Sequence, residues 1–339
     1  MTNSADNNEV IAYKRAADGS LHGRHSFSTG GRGSGGLTDP LASQGSLTLT
    51  QDRFHLLAVN AGSGDISVFR VVGPTLSLVG KTPSGGSEPV AVAQHGKLVY
   101  VVNAGGTSNV VGFRLDANGL TQIPDSIAYL STASSGASSL AFSPDGESLL
   151  VTEKVTNVID AFHVQTDGRL ASIVVNPSAG PGVFSVVFAP NGAVLAAETG
   201  PAGATNASAI SSYALAPSGT LSAISASVPT LGAATCWNVV TPDGHFVYTS
   251  NSGTSTISGF SIGASGSLTA LPGTVVGTLP SGSTNLDIAI TADGKYLYTL
   301  DAGTGTIDTF GINSDGSLTN LGNAGGLSAD AALNGIAAI

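Results

Sequence analysis

Two glutamates stand where the rest of the chain places asparagine or aspartate. Glu153 ends the segment LLVTE and Glu198 ends VLAAE, whereas the matching segments end in Asn60, Asn103 and Asn251. When two carboxylates lie close together, mutual repulsion and partial burial raise the pKa of one of them, which suits a general acid at neutral pH. This pair therefore predicts proton transfer that opens or closes a ring.

Simpler roles remain open for both kinds of residue. Asparagine or aspartate at a strand end two residues before glycine is commonly a turn former that accepts local backbone hydrogen bonds, and this applies to Asn60, Asn103, Asn251 and Asp301. The two glutamates could be solvated loop carboxylates, with Glu153 neutralised by Lys154, because perturbed acids are only probabilistic pointers to sites.

A wider set of polar and aromatic side chains is expected beside the glutamates. Trp237 could form the floor of a ligand pocket or could simply be packed, and Cys236 has no visible activating base, so we expect an inert thiol. Calcium is conceivable at Glu88, Asp287 and the glutamate pair, but no calcium-binding loop supports it, and we predict no metal. The predicted ligand-binding residues are Glu88, Ser139, Ser185, Trp237, Asn238, Asn285, Asp287 and Asp301.

Strands joined by tight turns must position these residues. Residues 286–322 read LDIAITADGKYLYTLDAGTGTIDTFGINSDGSLTNLG, in which short runs rich in Ile, Tyr and Thr alternate with Asp-Gly turns. Such runs predict four antiparallel strands in one meander. The first turn of the meander recurs along the chain at intervals of 50, 46, 52 and 50 residues, at Gly96, Gly146, Gly192, Gly244 and Gly294.

Repetition of a four-stranded unit with this period indicates an all-β fold, a β-propeller. We predict a single domain over residues 1–339, a seven-bladed ring closed by pairing of the C-terminal strand with the N-terminal blade. The first blade combines residues 333–339 with 1–30, and the others span about 44–82, 88–133, 138–178, 183–229, 236–280 and 285–325. In this arrangement the candidate residues face one mouth of the central channel, where propellers bind ligands.

The composition and net charge of the chain limit the classes of molecule that it could bind. The formal net charge is −10, only 10% of residues are charged, and no basic patch or long apolar run is visible, which argues against nucleic acid and a membrane span. A lone cysteine forms no internal disulfide, so the compartment is not fixed, although the composition favours a secreted or periplasmic bacterial protein. We expect a monomer with a small-molecule ligand at the channel mouth and no cofactor. The Gly-rich residues 30–43 predict a flexible surface loop.

The segments LAFSPDGESLLVTE, VFAPNG and VTPDGHFVYTSNSGTSTISGF resemble the lactonase-type seven-bladed propellers, with YVTN-type repeats as looser relatives. That family includes 6-phosphogluconolactonase-like and carboxy-muconate lactonizing enzyme-like proteins. The resemblance implies an Arg and a His ahead of the V-F-x-P-N-G turn, but this chain has Phe184 and Ser185 there. A fourth-blade His that the resemblance also implies is replaced by Ser138 and Ser139.

Two functions follow as expectations. The first is hydrolysis of a neutral lactone, or ring-forming cycloisomerisation, by Glu153 and Glu198, with Asn238 and Asn285 orienting oxygens. The second is a non-catalytic binding or scaffold propeller, which the missing Arg and His favour. Few cations near the mouth disfavour a phosphorylated substrate.

Overall fold

A computed structural model describes residues 1–329 and 331–339, and it contains 27 β-strands. The first two form a hairpin, β1 (Glu9–Arg15) and β2 (Leu21–Ser28). The next strands form blade I, with β3 (Leu47–Leu49), β4 (His55–Asn60), β5 (Asp65–Val72) and β6 (Thr75–Pro83). Blade II contains β7 (Ser87–His95), β8 (Leu98–Gly105), β9 (Asn109–Asp116), β10 (Gly119–Gln122) and the short β11 (Ala128–Tyr129), which also pairs with β9.

The remaining strands form four further antiparallel meanders. Blade III contains β12 (Ala137–Phe142), β13 (Ser148–Glu153), β14 (Val158–His163) and β15 (Val174–Pro177). Blade IV contains β16 (Val183–Phe188), β17 (Val194–Glu198), β18 (Ala209–Leu215) and β19 (Leu221–Pro229). Blade V contains β20 (Thr235–Val240), β21 (Phe246–Asn251), β22 (Thr256–Ile262) and β23 (Leu268–Thr278). Blade VI contains β24 (Asn285–Ile290), β25 (Tyr296–Asp301), β26 (Thr306–Ile312) and β27 (Leu318–Ala324).

The all-β propeller is confirmed, but the predicted number of seven four-stranded blades is wrong. The described residues form six four-stranded blades, and the hairpin β1–β2 is a separate two-stranded sheet in contact with β6 and β27. The C-terminal residues 333–339, predicted to be the inner strand of a further blade, adopt no regular secondary structure. Both ends of the chain nevertheless meet, because the Met1 amine donates to Gly335 O at 3.2 Å and Asn334 N donates to Met1 O at 3.1 Å. Too few backbone bonds form there to extend the hairpin into a full blade.

The first turn of most blades is held by a side-chain motif that the sequence repeats. In blade V the Thr241 hydroxyl donates to the Asp243 carboxylate at 2.6 Å, and Gly244 takes the left-handed conformation with a φ of 75°. This Asp also accepts the His245 backbone N–H at 3.0 Å, so one carboxylate satisfies several turn donors. The motif fixes the register of the first two strands.

Neighbouring blades are tied by tyrosines of the second strand. The hydroxyl of Tyr100 in blade II donates to Gly168 O in blade III at 2.8 Å, and Tyr248 in blade V makes the same bond to Gly316 O in blade VI. Tyr298 donates to Gly19 O of the hairpin, also at 2.8 Å. Buried aromatic rings thus fill the spaces between sheets while each phenol keeps a partner. The described residues include no helix long and apolar enough to cross a membrane.

Candidate functional site

The mouth of the channel is covered by residues 39–44, here called the mouth segment. The sequence predicted a flexible surface loop over residues 30–43, and for the end of that stretch the prediction is wrong. Leu41 and Ser43 are buried, with exposed fractions of 4% and 1%. Asp39 and Ala42 adopt positive φ angles of 48° and 44°, a strained conformation for residues with a side chain. Surrounding contacts must therefore hold the segment in place.

Those contacts reach across the channel to blades on different sides. Gln44 N donates to Ser138 O of blade III at 2.9 Å. The side-chain amide of Gln44 donates to Asn238 O at 2.7 Å and accepts Asn238 N at 3.1 Å, both in blade V. The Trp237 indole donates to Ser43 O at 2.9 Å, and the Ser43 hydroxyl donates to Val90 O of blade II at 2.9 Å. The mouth segment thus joins three blades across the opening.

Lys154 and Asp39 meet the mouth segment from two sides. The half-buried Lys154 ammonium donates to Ala42 O and lies 5.1 Å from the centroid of the Phe184 ring. Burial lowers the pKa of Lys154, and the nearby Asp39 carboxylate partly offsets that effect. Burial raises the pKa of Asp39 to about 6, although Asn334 Nδ2 donates to this carboxylate at 3.1 Å. One cation and one carboxyl that titrates near neutrality therefore lie at the mouth.

Other ionisable groups surround this pair. Burial raises the pKa of Asp287 to about 7, and Asp39 adds to that shift through charge. Glu88 is exposed, with a φ of 54°, and it acts on Lys154 through charge. Burial also raises the pKa of Cys236, in keeping with the expected inert thiol. Among the described residues no cluster of three or more side chains has the arrangement of a metal site.

Glu153 lies inside blade III and is fully buried. Its carboxylate accepts the Ser131 backbone N–H at 2.8 Å and the hydroxyls of Ser131 and Thr156. Burial would raise the pKa of Glu153, but hydrogen bonds from Asp160, Ser131 and Thr156 hold its pKa below the ordinary value. The side chain is therefore occupied within its own blade.

Glu198 lies in the equivalent position of blade IV and is also fully buried. It accepts Gly180 N at 2.9 Å and the hydroxyls of Ser211 at 2.6 Å and Ser227 at 2.8 Å. Neither glutamate is solvated, so the simpler explanation of exposed loop carboxylates is wrong for both. Their shared catalytic role stays a prediction, and their bonds within the blades give it no support.

The predicted ligand-binding residues divide into two groups. Trp237, Asn238, Ser139 and Ser185 lie at the starts of the inner strands, where the Ser185 hydroxyl donates to Asn238 Oδ1 at 3.4 Å. Asp287 and Glu88 belong to the same rim. By contrast, Asn285 of blade VI donates to the Ser250 hydroxyl at 2.6 Å and to Thr256 O at 3.0 Å, both in blade V.

Asp301 resembles the glutamates in its position. It is buried and accepts Thr284 N at 2.8 Å and Gly303 N at 3.1 Å. These bonds tie the connection that enters blade VI to the loop that follows β25. The structure therefore brings the rim residues together and leaves Asn285 and Asp301 in the framework of their blades.

The channel itself opens at the other face. A cavity of about 370 Å³ is lined by inner strands of blades I to IV and by their first turns, and Gln44 forms part of its wall. A larger groove of about 640 Å³ lies between blades V and VI, beside the turn residues Asp243, His245 and Asp293. Neither Lys154 nor Asp39 lines either of these two concavities.

Sequence reasoning missed Lys154 and Asp39 as site residues. Lys154 follows Glu153 where the matching positions hold Ala61, Ala104 and Ala302, and this departure from a small residue was the available signal. Asp39 lies in a stretch without repeat equivalents, so nothing in the spacing located it.

Residues 186–328 match the family model described as "Lactonase, 7-bladed beta-propeller". The match confirms the resemblance to lactonase-type propellers, and this part of the chain carries the lactonase-family pattern. The family description names seven blades, whereas six four-stranded blades and a hairpin are present here. No curated protein is similar enough to count as a match.

Solved structures share the fold at low sequence identity. A candidate 6-phosphogluconolactonase from Bacteroides uniformis is 21% identical with a TM-score of 0.68, and the alignment covers 97% of this chain and 98% of that one. The periplasmic gluconolactonase PpgL of Pseudomonas aeruginosa is 21% identical with a TM-score of 0.64, covering 80% and 82%. A second candidate 6-phosphogluconolactonase, from Bacteroides fragilis, is 16% identical with a TM-score of 0.66, covering 98% of each chain. These similarities establish the architecture.

Proposed function

We propose that this lactonase-type propeller hydrolyses a small neutral lactone at the channel mouth. The observation that carries the proposal is the placement of Lys154 and Asp39 on either side of the turn at Ala42. An ammonium can stabilise the oxyanion that forms when a carbonyl is attacked, and a carboxylate with a pKa near 6 can accept a proton from water at neutral pH. Both requirements of ester hydrolysis are thus met within one short stretch of the rim.

Asp39 takes a proton from water while the water oxygen bonds to the lactone carbonyl carbon, and Lys154 stabilises the oxyanion. The ring carbon–oxygen bond then breaks, and protonated Asp39 returns the proton to the ring oxygen, giving the open hydroxy acid. Phe184 and Trp237, whose ring centroids lie 5.2 Å apart, would supply an apolar wall. In this proposal Asp39 and Lys154 at the rim, and not Glu153 and Glu198, carry out the chemistry.

Charge favours a neutral substrate over a phosphorylated one. Lys154 is a cation at the mouth, the carboxylates of Asp39 and Glu88 act on it through charge, and the buried Asp287 lies near Asp39. A phosphate group would need more donors than one ammonium supplies. The name of the P. aeruginosa gluconolactonase makes glucono-δ-lactone a reasonable first probe.

Lactone hydrolysis is measured by acid release, with Lys154→Met and Asp39→Asn compared with wild type. We expect each substitution to lower kcat by roughly 100-fold or more, the usual contribution of a positioned acid, base or charge. Lys97→Met is the matched control, because Lys97 is exposed at a first turn on the opposite face. The pH dependence supplies a second readout: ionised Asp39 is required, so wild-type activity falls as pH drops below about 6. Equal rates in the wild type and the Asp39→Asn variant would refute the mechanism.

A non-catalytic binding propeller is the second candidate. The many hydrogen bonds that fix the mouth segment favour it, because they close the face at which a substrate would enter. If wild type releases no acid above the uncatalysed rate from a panel of neutral lactones, the enzymatic proposal fails and this second candidate stands. Calorimetric titration with the same lactones then shows whether the mouth binds them.

A further inference from the structure

A polar contact repeats at the end of the second strand in several blades. In blade I the Asn60 amide donates to the Ser67 hydroxyl at 2.8 Å, and in blade V the Asn251 amide donates to the Ser258 hydroxyl at 2.8 Å. In each case the partner lies on the third strand, two residues beyond the residue that pairs with the asparagine. The contact therefore links the second and third strands at one fixed point of the repeat.

Blade IV makes the same contact, but here the donor is on the third strand and the acceptor is on the second. Glu198 pairs in register with Ala209, and the hydroxyl of Ser211, two residues further on, donates to the carboxylate at 2.6 Å. A glutamate can only accept in its ionised form, so the partner on the third strand must supply the hydrogen. Serine does so without any change of protonation.

Blade III has a carboxyl group on both sides of the same contact. Glu153 pairs with Val158, which places Asp160 at the position held by Ser67, Ser211 and Ser258 in blades I, IV and V. Both side chains are fully buried. Three hydrogen-bond donors are present, namely Ser131 N and the hydroxyls of Ser131 and Thr156, and all three go to Glu153. Neither oxygen of Asp160 makes a hydrogen bond of ordinary geometry among the described residues.

Two ionised carboxylates in this position would leave Asp160 charged, buried and without a hydrogen bond, which is strongly unfavourable. A single added proton removes the conflict. Protonated Asp160 donates to Glu153, restoring the contact that blades I, IV and V make, and only a neutral carbonyl oxygen then lacks a partner. We infer that Glu153 and Asp160 share one proton in the folded protein at neutral pH, so that blade III contains a buried proton-binding site.

The electrostatics agree with this assignment. Burial, followed by hydrogen bonding to Glu153 and the charge of Glu153, raises the pKa of Asp160 to about 9, although the nearby Ser131 backbone N–H acts in the opposite direction. Glu153 is the charged group that acts on Asp160 among the described residues, and Lys154 is directed to the mouth segment instead. The proton is best described as belonging to the pair. Blade VI also has a carboxyl group on both sides, Asp301 and Asp308, but there Asp308 accepts the Thr306 hydroxyl at 3.2 Å and so has a donor without sharing a proton.

Folding therefore takes up one proton over a defined range of pH. Unfolded Asp160 ionises near pH 4, whereas the folded group stays protonated up to about pH 9. The stability that this group contributes is fully present below the unfolded pKa. It is lost progressively as the pH rises from the unfolded pKa to the folded pKa. Asparagine at position 160 would donate to Glu153 without a proton and would remove this dependence.

The test compares urea unfolding of wild type and Asp160→Asn between about pH 5 and pH 8. The ratio of their unfolding constants should change by up to about tenfold per pH unit, with the variant increasingly favoured as pH rises. Glu153→Gln, in which the amide can donate to ionised Asp160, should lose the same dependence and guards against misfolding of one variant. Asp6→Asn, at an exposed position, should match wild type at every pH. A ratio independent of pH for both buried variants would overturn the inference.

Infrared spectroscopy gives a direct readout. Near pH 8, between the pKa values of about 7 for Asp287 and about 9 for Asp160, wild type should show the carbonyl stretch of a protonated carboxylic acid. That band should disappear in Asp160→Asn and persist in Asp6→Asn. If wild type lacks the band, or if added calcium abolishes the pH dependence, a cation and not a proton occupies the pair and the inference is wrong.

Discussion

At the scale of single residues, the end of the second strand is the point where each blade satisfies its buried polar groups. Asn60, Glu153, Glu198, Asn251 and Asp301 are all fully buried there. Asparagine both donates and accepts, so it suits a site that receives bonds from one connection and gives a bond to the next strand. Carboxylates at the same site need neighbours that donate, and blade IV surrounds Glu198 with serine hydroxyls.

We expect Glu198→Gln to lower the free energy of unfolding by about 1–3 kcal/mol, because an amide NH₂ would face hydroxyl and N–H donors in a buried site. Lactone hydrolysis per folded molecule should not change, since the side chain is enclosed. Urea unfolding and acid release measure the two effects. Glu147→Gln, at an exposed turn, is the control, and a large loss of kcat without loss of stability would return Glu198 to the mechanism.

The departure of Glu153 and Glu198 from asparagine was visible in the sequence, but its meaning was not. Periodicity locates a residue at a strand end and leaves open whether it faces the channel or the interior of its blade. The deciding partners, Ser131 and Ser227, lie 22 and 29 residues away in segments without a fixed repeat spacing. Sequence patterns of period two carry no information about such contacts.

At the scale of elements, the mouth segment determines what the rim can do. Its backbone is strained at Asp39 and Ala42, and bonds to three blades maintain that conformation. Glycines are frequent before it, at residues 30–36, and Gly45 follows it with a φ of 94°. Glycine content alone predicted a flexible loop here, and the prediction failed because Leu41, Ser43 and Gln44 find partners that only the assembled ring provides.

Removing the Gln44 side chain tests this account. Gln44→Ala leaves the Asn238 backbone N–H and C=O without their partners, so we expect a loss of about 1–3 kcal/mol in unfolding free energy. Amide hydrogen exchange of residues 39–44 should become faster as the segment loosens. Gln122→Ala, at an exposed position of β10, should leave both measurements unchanged. Unaltered exchange in the Gln44 variant would show that the segment is held by other bonds.

At the scale of the whole molecule, closure of the ring depends on residues that form no strand. Leu333 and Asn334 are buried, and Asn334 bonds to Met1, Leu41 and Asp39. The repeated turns were sufficient to predict an all-β propeller with six complete meanders. They could not settle the last sheet, because LNGIAAI has the composition of a strand and the missing backbone pairing appears only in three dimensions.

Deleting residues 333–339 should destabilise the protein by at least about 3 kcal/mol, the sum expected for one buried leucine and several buried hydrogen bonds. Deleting only residues 337–339, which end in the half-exposed Ile339, should have a much smaller effect. Thermal unfolding of the two truncated proteins gives the comparison. Equal melting temperatures would mean that Leu333 and Asn334 contribute nothing to closure.

Gln44 forms part of the wall of the channel cavity, and the mouth segment covers the far end. The central channel is therefore open at one end and closed at the other. A small molecule that enters between the first turns of blades I to IV has to leave through the same opening. A small molecule can therefore pass from one face of the propeller to the other only if residues 39–44 move. Entering and leaving molecules compete for the same opening.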